Sequence, residues 1–164
     1  MRVSNVIRRT LCMLLLAAML AMTGASAFAA SKPSGAYVVS NTHGERLIVH
    51  ATASMYNNEV TRLKPGTVVV YKSTKNGWWK VQFYGGSGYV DRRYLTSVAY
   101  LPEAKYKAVK KIPVYYKNKT SSGRVGYLKT SLKVSITKQK GSWVHIKHGF
   151  KVGWVQSIYL RKVS

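Results

Sequence analysis

The sequence predicts an all-β protein: two small β-barrels in tandem, behind an N-terminal export signal. Three observations predict this. Short runs rich in Val, Ile, Tyr and Trp are separated by Gly, Pro and Asn turns, the spacing of a sandwich or barrel. The second half repeats the first at a fixed offset. No amphipathic helix pattern longer than a turn or two follows the first thirty residues.

The N-terminus comes first. Arg2, Arg8 and Arg9 precede the apolar run Leu11 to Met22, Gly24 breaks that run, and Ala25-Ser26-Ala27 or Ala27-Phe28-Ala29 offers the small residues of a cleavage site. A charged head, a short apolar stretch and an A-x-A exit form the signal-peptide pattern. Twelve apolar residues reach only about 18 Å as a helix, short of a ~30 Å hydrocarbon core, so a cleaved signal over residues 1–29 is expected rather than an anchor. Arg8-Arg9 also suggests twin-arginine export, but the residues after it match poorly.

Next come the strands. Thr67 to Tyr71, Trp79 to Phe83 and Leu132 to Ile136 are typical runs. Lys64-Pro65-Gly66, Lys75-Asn76-Gly77, Tyr84-Gly85-Gly86-Ser87-Gly88 and Lys140-Gly141-Ser142 read as turns. An offset of 65 residues pairs Val49 with Val114, Leu63-Lys64 with Leu128-Lys129 and Val69 with Val134. It also pairs Trp78 with Trp143, Gly88 with Gly153, Val90 with Val155 and Tyr94-Leu95 with Tyr159-Leu160, with no gap from residue 47 to the end. The expected organisation is a first unit over 35–98, a linker over 99–104 and a second unit over 105–164. Each is near the lower size limit for a domain without crosslinks.

Composition narrows the chemistry. The only cysteine, Cys12, lies in the apolar run, which removes disulfides, thiol nucleophiles and cysteine-ligated metals from the mature chain. Three of the 27 basic residues precede the cleavage site, leaving 24 against Glu45, Glu59, Asp91 and Glu103, a net +20. The first unit has 8 basic and 3 acidic residues; the second has 15 basic and none acidic. Such a chain is drawn to polyanions, and outside a cell these are teichoic acids, anionic headgroups, acidic polysaccharide and stray nucleic acid.

The order and spacing of these motifs resemble a family. Leu47-Ile48-Val49-His50, Leu63-Lys64-Pro65-Gly66, Asn76-Gly77-Trp78-Trp79-Lys80-Val81 and Gly88-Tyr89-Val90-Asp91, then Tyr94-Leu95, resemble a bacterial SH3-like (SH3b) domain. Ile112-Pro113-Val114-Tyr115, Gly141-Ser142-Trp143-Val144-His145-Ile146 and Gly153-Trp154-Val155, then Tyr159-Leu160, repeat it. Two departures stand out: the usual L-N-V-R stretch ends in His50 and in Tyr115, and the G-P-S turn after it is absent from both units. The resemblance implies two SH3-like barrels of five to seven strands. It also implies a non-catalytic targeting role in an exported protein, with peptidoglycan or its peptide stems as the usual ligand.

Strand alternation assigns the faces. Val144 and Ile146 point inward, which puts Trp143, His145 and Lys147 outward. The repeat then puts Trp78, Lys80 and Gln82 outward and Trp79, Val81 and Phe83 inward. Val90 and Val155 face in, so Tyr89 and Trp154 face out. An exposed tryptophan beside a cation can stack on a sugar or a peptide side chain with donors close by. The candidate binding residues are therefore Trp78, Lys80, Tyr89, Tyr94, Trp143, His145, Lys147, Trp154 and Tyr159. The competing use of such a tryptophan is to cover the edge of the core.

No catalytic or metal-ligating set is legible. The second unit has no carboxylate for an acid/base pair, and no G-x-S-x-G or H-E-x-x-H occurs. His145 and His148, three apart on a strand, face opposite sides. The sequence thus leads to an exported, envelope-associated binding protein without a cofactor, holding peptidoglycan or a teichoic-acid-like polyanion. The alternatives are docking of an acidic secreted protein, as an inhibitor or immunity module, and binding of extracellular nucleic acid.

Overall fold

The computed structural model describes residues 33–56, 58–149 and 151–163; the expected export signal lies outside them. The first seven strands are β1 (Ala36–Val39), β2 (Leu47–His50), β3 (Glu59–Leu63), β4 (Val68–Lys75), β5 (Trp78–Phe83), β6 (Gly86–Val90) and β7 (Leu95–Ser97). They form one sheet in the order β3-β2-β6-β5-β4-β1-β7. The second seven are β8 (Lys105–Ala108), β9 (Ile112–Tyr115), β10 (Arg124–Leu128), β11 (Val134–Lys140), β12 (Trp143–His148), β13 (Lys151–Gln156) and β14 (Leu160–Val163). Their order, β10-β9-β13-β12-β11-β8-β14, is the same, shifted by seven strands. The chain is all-β with two repeated sheet units. Each sheet is open, with β3 and β7, or β10 and β14, at its ends.

The repeat seen in sequence is the repeat of the fold. β2 and β9, β3 and β10, β5 and β12, and β7 and β14 each begin 65 residues apart. One place breaks the register. Tyr37 pairs with Val69, and Tyr106 pairs with Val134, so β1 and β8 are offset by 69 residues. The difference of four lies in the β1–β2 loop, which spans residues 40–46, against 109–111 in the second unit.

Local chemistry explains the turns and the repeated glycine. Asn76 (φ 49°) and Gly77 (φ 79°) both take left-handed backbone, as a two-residue hairpin between β4 and β5 requires. The expected turn at 84–88 is shorter than the sequence suggested: β6 starts at Gly86, so Gly86, Ser87 and Gly88 are strand. Gly88 is needed for close approach. A Cβ there would collide with Val49 Cγ1 and come within 2.8 Å of the His50 carbonyl oxygen; Gly153 has the same relation to Val114 and Tyr115. The glycine of each G-aromatic-V motif lets β6 or β13 cross close to β2 or β9.

The two units share their core. Val39, Leu47, Val49, Val69, Val81 and Val90 form the first unit's core, with Trp79 packed on it. The second unit's core, around Ile112, Val144, Val155 and Leu160, also takes in Ala36, Val38, Val68 and Val98 from the first. Strand β1 is therefore buried on both faces, Tyr37 and Val39 toward one core, Ala36 and Val38 toward the other. Val68-Val69-Val70 is buried throughout for the same reason, since a strand covered on both sides loses its polar alternation. Main-chain bonds reinforce the joint: Lys162 N–H donates to Gly66 O at 2.8 Å, beside a bridge between Thr67 and Arg161. Gly66 (φ 82°) has no space for a side chain, since a Cβ would lie 2.6 Å from Lys162 O.

Tyr106, the counterpart of Tyr37, is fully buried, and its hydroxyl has no hydrogen-bond partner among the described residues. Burial pushes its pKa up to about 12.

Candidate functional site

The outer face of each sheet carries a row of side chains across its central strands. In the first unit, His50 on β2 pairs with Tyr89 on β6, which pairs with Lys80 on β5. The Lys80 ammonium lies 5.9 Å from the Tyr89 ring centroid. In the second unit, Tyr115 on β9 pairs with Trp154 on β13, which pairs with His145 on β12. The His145 and Trp154 rings meet edge to face at 5.3 Å. These rows occupy matching positions in the repeat.

Trp78 and Trp143 flank the rows. Each is half-buried, one edge-on to His50 at 5.0 Å, the other edge-on to Tyr115 at 5.5 Å. Part of each indole covers its neighbour and part faces solvent. His50 is held by Asn58, Nδ1 to Oδ1 at 2.7 Å, and His145 by the Thr137 hydroxyl at 2.7 Å. Burial, with the nearby Lys138 charge second, lowers the pKa of His145, which keeps that ring neutral at pH 7.

The longer β1–β2 loop makes the first unit different. Asn41 (φ 55°), His43 (φ 50°) and Gly44 (φ 89°) coil it tightly. Its base is tied down by Ser40 N–H to Tyr94 O at 2.9 Å and by the Ser40 and Thr96 hydroxyls at 2.6 Å. With Trp78, His50, Met55 and the 3-10 turn Arg92–Tyr94, the loop walls a cleft of about 500 Å³. Asp91 caps that turn through the Arg93 N–H at 2.9 Å and pairs with the Arg93 guanidinium at 2.6 Å. The hydrogen bonds from Arg93 hold the Asp91 carboxyl below its usual range.

Of the nine candidates, Lys80 with Tyr89 and His145 with Trp154 come together in the rows. Trp78 and Tyr94 line the cleft, and Trp143 abuts Tyr115. Lys147 is exposed further along β12, opposite Val152. Tyr159 lies at the joint, edge-on to Tyr84 at 5.6 Å, with the Lys110 ammonium 4.9 Å above its ring. His50 and Tyr115 were not among the candidates, though their signal was visible: they end the two stretches that depart from the family pattern. Tyr84 and Lys110 gave no signal beyond aromaticity and charge. Among the described residues no group of three His, Cys, Asp or Glu is placed to hold a metal, and no helix is long and apolar enough to cross a membrane.

Doubled seven-stranded sheets with matching aromatic outer rows define the class: an all-β tandem repeat with a surface suited to contact. The first unit contains a bacterial SH3-like domain, since residues 45–96 match the family of the bacterial SH3 domain. Among curated proteins none matches the chain. Among solved structures, NlpC1 from Trichomonas vaginalis is 11% identical over 80% of this chain and 46% of its own, with a TM-score of 0.36. NlpC2 from the same organism is 12% identical over 79% of this chain and 48% of its own, also at 0.36. The chain spans about half the length of either.

Proposed function

We propose that this is a non-catalytic, exported binding protein of the bacterial envelope, which holds peptidoglycan or an associated anionic wall polymer. The observation that carries the proposal is the duplicated row: His50–Tyr89–Lys80 in one unit and Tyr115–Trp154–His145 in the other. Aromatic faces with donors at their edges suit sugar rings and peptide planes. The lysine-rich second unit supplies long-range attraction to phosphate or carboxylate polymers. The shared core fixes the distance between the rows, so two weak contacts reinforce each other on a polymer whose repeat matches that distance.

The test is retention of the folded protein on purified wall sacculi, with and without teichoic acid, over a salt titration. Retention on both, with a salt-dependent part that disappears when teichoic acid is stripped, is expected. No retention on either preparation overturns the proposal. Saturable binding to a single acidic protein without wall retention would instead establish the docking alternative.

A further inference from the structure

The repeats have diverged at one place, and the divergence has a chemical sense. In the second unit the ring of Tyr159 is already capped by an ammonium, that of Lys110 at 4.9 Å, and the same ammonium lies 5.0 Å from Tyr84 of the first unit. Lys110 stands two residues before β9. The residue two before β2 in the first unit is Glu45, and the counterpart of Tyr159 is Tyr94. The charge at this position is therefore reversed between the units.

The reversal leaves a site. Glu45, Tyr94 and Trp78 line the cleft behind the longer loop. Among the described residues Glu45 forms no ion pair, whereas Asp91 and Glu59 are taken by Arg93 and Arg62. Tyr94 is 37% exposed. A carboxylate beside an indole and a phenol is the environment that holds an ammonium. Arg46 lines the same cleft and forms no ion pair among the described residues. The protein as a whole repels cations, since the mature chain carries +20. An amine reaches the cleft only if its molecule also carries negative charge, and Arg46 is placed to receive that charge.

We infer that the first unit's cleft binds a short peptide bearing both a free primary amine and a carboxylate, its ammonium between Glu45, Tyr94 and Trp78 and its carboxylate toward Arg46. The second unit has no such site, because Lys110 fills its counterpart. This deepens the wall-binding reading and rests on it for the origin of the ligand, but not for the chemistry of the cleft.

The probe is the tripeptide Ala-Glu-Lys, titrated into the full mature chain while the Trp78 indole resonance is followed by NMR. The controls are the same peptide with its amines acetylated and an aminoacyl ester of glycerol phosphate. The free peptide is expected to shift Trp78 and leave Trp143 unmoved. Acetylation is expected to weaken binding about tenfold, the scale of one desolvated cation–π and carboxylate contact. Glu45→Gln, at an exposed loop position, should lose the same factor and no longer distinguish the two peptides. Glu45→Asp should keep the distinction. Equal binding of free and acetylated peptide, unchanged selectivity in Glu45→Gln, or preference for the ester over the peptide would overturn the inference. Sacculus retention that survives while the peptide fails would sink the cleft alone. Peptide binding without retention would sink the wall reading and leave the cleft standing.

Discussion

Tyr84 and Tyr159 meet edge to face at 5.6 Å across the joint between the two units, and Lys110 lies over both rings. An aromatic edge contact and a partly desolvated cation–π pair together contribute about 1–2 kcal/mol. Tyr84→Ala should lower the unfolding free energy by that amount, measured by chemical denaturation. It should also leave a single transition, because the joint rests mainly on the shared core. Two separated transitions in the wild-type chain would contradict that view.

The shared core gives a sharper expectation. Val38 belongs to the first sheet yet packs into the second unit's core. Val38→Ala should cost about 2 kcal/mol. Hydrogen exchange should show protection lost at β11 and β12 as well as at β1. A loss confined to the first unit would mean the cores are independent.

Gly88 and Gly153 face the same test. A methyl group at either would overlap a valine and press on a main-chain carbonyl. Crowding of this kind typically costs about 1–3 kcal/mol, here at the top of that range because backbone cannot step aside. Gly88→Ala and Gly153→Ala should each lower the melting temperature, while Gly149→Ala, where no atom crowds the position, should suffer only from its left-handed backbone.

Tyr106 links stability to alkaline pH. Its folded-state pKa of about 12 lies above the ordinary 10.0. The folded form therefore keeps a proton that the unfolded form gives up between those values. The stability this represents is whole below pH 10 and is lost as pH rises toward 12, up to about 3 kcal/mol. Tyr106→Phe removes a buried hydroxyl without a partner, so at pH 7 its stability should equal or exceed wild type. Comparing the two proteins by denaturation at pH 10 and 11.5 isolates the tyrosine, with wild type falling more steeply.

His145 has the opposite sign. Its folded pKa lies below the ordinary 6.5, mainly through burial. Folded protein resists protonation there, and stability declines as pH falls below the unfolded-state value. An NMR titration should place the His145 midpoint below 6.5. The second unit's outer row should behave as neutral and aromatic between pH 7 and 8.

Much of this architecture was legible in the sequence, and the rest was hidden for definite reasons. Alternation placed Val144 and Ile146 inside and His145 outside, because a sheet with one wet face records its geometry in every second residue. The 65-residue offset gave the strand order twice over, since glycines such as Gly88 and Gly153 answer to close backbone approach. The joint was not legible. Val68-Val69-Val70 reads as any buried strand, and nothing local says that Val68 serves a different core from Val69. The cleft was missed because the repeat comparison begins at residue 47, just after the inserted loop. Lys110 looked like one basic residue among fifteen; only the fold sets it over Tyr159.

The most direct measurement compares retention on purified sacculi for the wild-type chain and for Tyr89→Ala/Trp154→Ala, one substitution in each outer row, with folding checked by circular dichroism. Loss of two such aromatic contacts is worth about 1–2 kcal/mol each where they anchor a ligand. Wild type should bind, and the double variant should lose about a hundredfold in affinity at unchanged fold and charge. A folded double variant retained as well as wild type would contradict the role given to the outer rows.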